Sequence, residues 1–124
     1  MPVITAPADA THTLGSTRFT SLATPSRGSQ ETSVWRVEIA PRTPATPHSL
    51  TREEVIVVLN GEATVEIDGV GDAARPGDAI VVPAGVEFAL ANDGDQPLRL
   101  LCCLPVGGQG RIADGDPFTP PWAQ

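Results

Sequence analysis

The chain has no lysine and no tyrosine, and all of its basic charge sits on eight arginines. An amine that could form a Schiff base and a phenol that could pass a proton are therefore both excluded. No apolar run approaches the roughly 18 residues of a membrane-spanning helix. The opening MPVITAPADATHTLG lacks the basic region followed by an apolar run that marks a secretory leader. A formal net charge of −7 leaves no cationic footprint for nucleic acid or an anionic membrane. Cysteine is confined to the adjacent pair Cys102 and Cys103, whose Cα atoms, about 3.8 Å apart, are too close for ordinary disulfide geometry. A soluble, reducing, cytoplasmic setting is the expectation. Internal repeats, a glycine-rich phosphate loop, a Cys-x2-Cys zinc pattern and a nucleophile elbow are also missing. What remains for proton transfer is His12, His48, the two thiols and the carboxylates.

Thirteen prolines and twelve glycines break the chain into short segments. No window carries a sustained 3.6-residue apolar period, whereas short alternating or apolar runs recur between turn residues. An all-β chain is expected. At 124 residues it is read as one domain, 1–124, with an N-terminal arm and strands over 1–33, a barrel core over 34–104 and a tail over 105–124. Weak strand candidates lie at Val3 to Thr5 and Arg18 to Leu22. Val34 to Ile39 alternates cleanly, with Trp35, Val37 and Ile39 on one face. Leu98 to Leu104 is almost continuously apolar, as expected of a strand covered on both faces. A loop is expected from Asp68 through Arg75, and Phe118 and Trp122 are expected to anchor the tail. His12, among threonines, reads as a solvent-facing histidine, because nothing of metal-ligand spacing surrounds it.

The stretch from Pro47 to Gly61, PHSLTREEVIVVLNG, is the most informative. Asn-Gly predicts a type I′ hairpin, since both central residues of that turn need positive φ. Leu59 would then face Glu62, with Val58 opposite Ala63, Ile56 opposite Val65 and Glu54 opposite Ile67. One face of the hairpin is apolar apart from Glu54. The other carries Val55, Val57 and Leu59, an apolar patch that needs cover.

At these residues the sequence resembles the cupin superfamily. The family's first motif, G-x5-H-x-H-x3,4-E-x6-G, is met at His48, Glu54 and Gly61, with Leu50 in place of its second histidine. The second motif, G-x5-P-x-G-x2-H-x3-N, is met at Gly77, Pro83, Gly85 and Asn92, with Phe88 in place of its histidine. The resemblance implies a double-stranded β-helix, or jelly-roll barrel. In cupins the three histidines and the glutamate usually bind one divalent metal, so by resemblance His48 and Glu54 are the ligands retained. Two ligands are too few for a catalytic metal. The expectation is no cofactor, with Fe, Mn, Ni or Zn at His48 and Glu54 as the alternative and a cysteine as a stand-in ligand.

With two imidazoles replaced by Leu50 and Phe88, the metal cage becomes an apolar pocket. Its expected lining is Trp35, Val37, Leu50, Ile56, Val65, Phe88 and Leu90, around His48 and Glu54. Burial would raise the Glu54 pKa and a nearby imidazolium would lower it, which fits a general acid–base pair. The first reading is a metal-independent isomerase, cyclase or lyase acting on a small, largely apolar molecule. The second is a non-catalytic ligand-binding module, and the third a metal-dependent oxygenase. Trp35 as core packing, and His48 in a rim salt bridge with Glu54 or Glu53, are the bland alternatives. A homodimer is expected through the sheet face bearing Val55, Val57 and Leu59.

Overall fold

A computed structural model of the chain describes residues 3–124, so residues 1 and 2 of the N-terminal arm lie outside the described residues. Eleven strands run in the order β1 (His12–Leu14), β2 (Thr17–Ala23), β3 (Thr32–Ile39), β4 (Ser49–Leu50), β5 (Glu54–Asn60), β6 (Ala63–Ile67), β7 (Val70–Ala74), β8 (Ala79–Val82), β9 (Phe88–Ala91), β10 (Leu98–Pro105) and β11 (Gly110–Arg111). The larger sheet has the order β1-β2-β3-β10-β5-β8, and a smaller one has the order β7-β6-β9. Bridges at Thr43–Asn92 and His48–Phe88 attach the proline-rich segment to β9, next to the short β4–β11 pair. This is the all-β jelly roll that the cupin resemblance implies, with one core between the sheets.

The hairpin expected at Asn60-Gly61 does not form. Strand β5 pairs with β10 on one edge and β8 on the other, while β6 pairs with β7 and β9 in the opposite sheet. Gly61 has φ +84, but Asn60 is not among the residues of positive φ, so the dipeptide is a crossing between sheets. A Cβ on Gly61 would come within 2.9 Å of the Pro97 carbonyl oxygen, which leaves glycine as the residue that fits. Both edges of β5 are taken by apolar strands distant in sequence, and that pairing outweighs the local turn preference. The facing is nonetheless as expected, because the period of two does not depend on the partner: Glu54, Ile56, Val58, Ala63 and Val65 are buried.

The two-residue turn with both φ positive lies one connection later, at Asp68 (φ 51) and Gly69 (φ 79). There Ile67 faces Val70, and the segment expected as a loop becomes strand β7. Its sequence VGDAA, largely exposed, gave no apolar alternation to read. Val3 to Thr5 forms no strand; the Thr5 carbonyl instead accepts a hydrogen bond from Arg27 Nη2 at 2.6 Å. His12 lies in edge strand β1, with Nδ1 2.9 Å from Thr11 Oγ1.

In β3, Trp35, Val37 and Ile39 all point inward and are buried. Strand β10 departs from the expectation that both faces are covered. Its inner residues Leu98, Leu100, Cys102 and Leu104 are buried, but Arg99 is exposed and Leu101 and Cys103 are only half-buried. On the outer face the register aligns Val34, Cys103, Val55 and Val81 in one apolar row across four strands.

The tail closes over the β2–β3 end of the larger sheet. Trp122 stacks on Phe19 with ring centroids 3.6 Å apart and planes 5° from parallel. Three serine hydroxyls donate to successive tail carbonyls: Ser21 to Trp122 at 2.7 Å, Ser33 to Ala123 at 2.8 Å and Ser26 to Gln124 at 2.7 Å. Phe118 stays partly exposed but reaches the Gly110 backbone through a bridge.

Candidate active site in the barrel

Glu54 opens β5 and points inward because it shares parity with Ile56 and Val58. Its neighbour across the sheet is Val82, which is fully buried. The residue is only 6% exposed, and it takes part in none of the ion pairs among the described residues. Burial alone pushes its pKa from 4.5 to about 8, with no compensating charge or hydrogen bond. At neutral pH the group is therefore mostly a neutral carboxylic acid.

The thiols closest to it electrostatically are those of β10. Cys102, opposite Ile56 and Trp35, is buried on the same inner face. Burial first, then Glu54, then Cys103 push its thiol well above the ordinary range. Cys103 sits half-buried on the outer face, and burial followed by Glu54 raises it too. Cys102 is the site residue that the motif comparison missed. The signal was present in parity, since Cys102 is in step with Leu98, Leu100 and Leu104.

His48 occupies the rim, half-buried, and is tied to β9 by paired backbone bonds with Phe88 of 2.9 and 2.8 Å. The two rings are 4.2 Å apart and tilted by 48°. His48 Nδ1 lies 2.9 Å from the Thr46 carbonyl oxygen. A carbonyl can only accept, so Nδ1 carries the proton and the lone pair of the neutral ring falls on Nε2. No hydrogen bond or ion pair joins His48 to Glu54 or Glu53 among the described residues. Trp35, Val37, Leu50, Ile56, Val65 and Phe88 belong to the hydrophobic core of the barrel, with Leu90 packed against it.

The fold implies a metal, and the donors here do not fit one. Leu50 and Phe88, both buried, hold two of the four ligand positions. Among the described residues, no three His, Cys, Asp or Glu side chains come together where they could hold an ion. Also among the described residues, no helix is long and apolar enough to cross a membrane.

Comparison with known proteins agrees with this architecture. The β-conglycinin alpha' subunit of Glycine max is 35% identical over 78 residues, covering 58% of this chain and 13% of that protein. An uncharacterized protein of Methanocaldococcus jannaschii is 32% identical over 53 residues, 43% of this chain and 42% of its own. The chain thus spans less than half the length of either curated relative. The polyketide cyclase RemF from Streptomyces resistomycificus superposes with a TM-score of 0.72 at 22% identity, over 91% of this chain and 82% of the cyclase, a likeness of fold. The family model described as a cupin domain matches residues 35–104, more than half of the chain. With both motifs in place on the strands that carry them, this chain belongs to the cupin family.

Proposed function

We propose that this protein is a metal-independent small-molecule cupin that catalyses an isomerase-, cyclase- or lyase-type reaction by proton transfer. Glu54 is the acid and His48 Nε2 the base. The observation that carries this reading is the inward Glu54 carboxyl, unpaired and with its pKa near 8. A group poised close to the working pH combines a useful fraction of the correct protonation state with a useful driving force. His48 supports it, because the Thr46 carbonyl fixes the tautomer that leaves Nε2 as an acceptor at the barrel mouth. In the forward direction, Nε2 takes a proton from a carbon next to a carbonyl group. Glu54 gives its own proton to the carbonyl oxygen as charge develops there. Leu50 and Phe88 hold the molecule by apolar contact where the family's other ligands would stand.

The test uses hydrogen–deuterium exchange at carbon, followed by NMR in heavy water over a panel of small ketones. Glu54→Gln should slow exchange by about 10² to 10⁴ while leaving affinity within a few-fold, since the amide keeps the shape and loses the proton. Metal content of the same preparation, measured by mass spectrometry, should be far below one ion per chain. Stoichiometric metal, or exchange indifferent to Glu54, would refute the proposal.

A second reading, a non-catalytic binding module, is favoured by the lack of any hydrogen bond or ion pair between His48 and Glu54 among the described residues. It predicts that Glu54→Gln and His48→Asn change binding and nothing else.

A further inference from the structure

Outside the barrel, the larger sheet gathers charge in one place on its outer face. Three of the eight arginines, Arg18 on β2, Arg36 on β3 and Arg99 on β10, line a single groove of about 410 Å³. The register explains the gathering. Arg18 and Arg99 lie directly opposite Glu38 from either side, and Arg36, two residues back along β3, lies opposite Thr20 and Leu101. Residues two apart in a strand share a face, so Arg36 is the diagonal neighbour of both other arginines, about 7–8 Å from each across the sheet.

Glu38 is already shared between two of the three. Arg99 Nε reaches it at 2.9 Å and Arg18 Nη1 at 3.6 Å. Arg36 takes part in none of the ion pairs among the described residues, and the terminal nitrogens of Arg99 take no part in its bond to Glu38. The second carboxylate of the lining, Asp9, comes from the N-terminal arm. That arm is held at Thr5 by Arg27 and at Thr11 by the Phe19 carbonyl, and Asp9 likewise makes no ion pair among the described residues. Three guanidiniums against two carboxylates leave one positive charge over among the described lining residues, in a chain whose net charge is −7. Pro7 of the arm and Leu59 of β5 add apolar surface to the same groove.

We propose that this groove binds a small organic carboxylate, with both oxygens on the Arg36 guanidinium, the terminal nitrogens of Arg99 beside them and the apolar body against Pro7 and Leu59. A planar guanidinium matches a carboxylate through two parallel N–H bonds, which an ammonium cannot copy. One negative charge answers the one positive charge left over, and the apolar surface favours an organic anion over a mineral one. The groove is on the opposite face of the larger sheet from Glu54. It is therefore independent of the barrel chemistry.

Benzoate is the probe, with neutral benzamide and inorganic phosphate as comparisons, and binding is followed at neutral pH by NMR of the backbone amides. Benzoate should bind at millimolar concentration and shift amides of β3, β10 and the arm, while benzamide and phosphate should each bind at least about tenfold more weakly. Arg36 is exposed and breaks no ion pair when replaced. Arg36→Gln should weaken benzoate about tenfold, and Arg36→Lys, which keeps the charge and loses the fork, about threefold. Arg111→Gln, at an exposed arginine of β11 away from the groove, should change nothing. The assignment is overturned by failure of benzoate to bind, by benzamide or phosphate binding as tightly, by equal losses in Arg36→Gln and Arg111→Gln, or by shifts confined to the barrel residues around Phe88.

Discussion

At about pH 9, Glu54→Gln should unfold at a clearly higher urea concentration than the parent protein, and at about pH 4 the two should unfold together. The sign follows from the direction of the shift. Glu54 ionises near 8 in the folded chain and near 4.5 once unfolded. Below the lower value both states hold the proton and the site costs nothing. Between the two values unfolding releases a proton, so stability falls as pH rises, by about 1.4 kcal/mol for each pH unit. Above the upper value the folded barrel must hold a carboxylate with no partner, and the accumulated loss reaches up to about 5 kcal/mol. That is a large share of the roughly 5–15 kcal/mol that holds a domain together. Glutamine cannot ionise, so its profile should be flat where the parent's falls. Parallel profiles for the two proteins would show that the carboxyl is solvated or paired, and would remove the physical basis of the acid assignment.

The second large effect is expected at Asn92. This side chain is 1% exposed and joins the end of β3 to the turn before β10. Nδ2 donates to the carbonyls of Ile39 at 3.1 Å, Ala40 at 3.2 Å and Gln96 at 2.8 Å. Oδ1 accepts from the Gly94 N–H at 3.1 Å. Leucine has nearly the same shape and none of these bonds. Asn92→Leu should therefore cost about 3–5 kcal/mol, since each buried backbone group left without a partner costs about 1–3 kcal/mol. Asn92→Asp keeps the acceptor but sets its second oxygen against the three carbonyl oxygens, so at neutral pH it should cost at least as much as leucine. Denaturant titration decides the matter. A loss below about 1 kcal/mol for leucine would mean that water takes over the vacated bonds.

Asn92 also shows what the sequence could and could not disclose. Its place in the second motif was legible, and so were the inward faces of β3 and β5, because alternation is a property of a single strand. The partners of a strand are not. Asn60-Gly61 has the composition of a hairpin turn, yet β5 already has β10 and β8 on its edges, and no local pattern reports a pairing made some forty residues away. Strand β7 escaped for the opposite reason, being short, exposed and held by the Asp68-Gly69 turn. For the site, the motifs pointed to His48 and Glu54 one at a time. The nearness of Cys102 to Glu54 follows from the register of β10 on β5, which no single-strand pattern reports.

The serine clasp on the tail has a consequence for the order in which the protein is made. Ser21, Ser26 and Ser33 leave the ribosome early, yet their carbonyl partners lie 101, 98 and 90 residues further along. Strand β10 likewise arrives after both strands it must slip between, β3 and β5. Throughout that interval the nascent chain carries the Phe19 ring without its Trp122 cover, and strand edges that nothing caps. Barrel closure thus waits until β10 and the tail segment have been made, and until then the chain carries uncovered apolar surface and open strand edges.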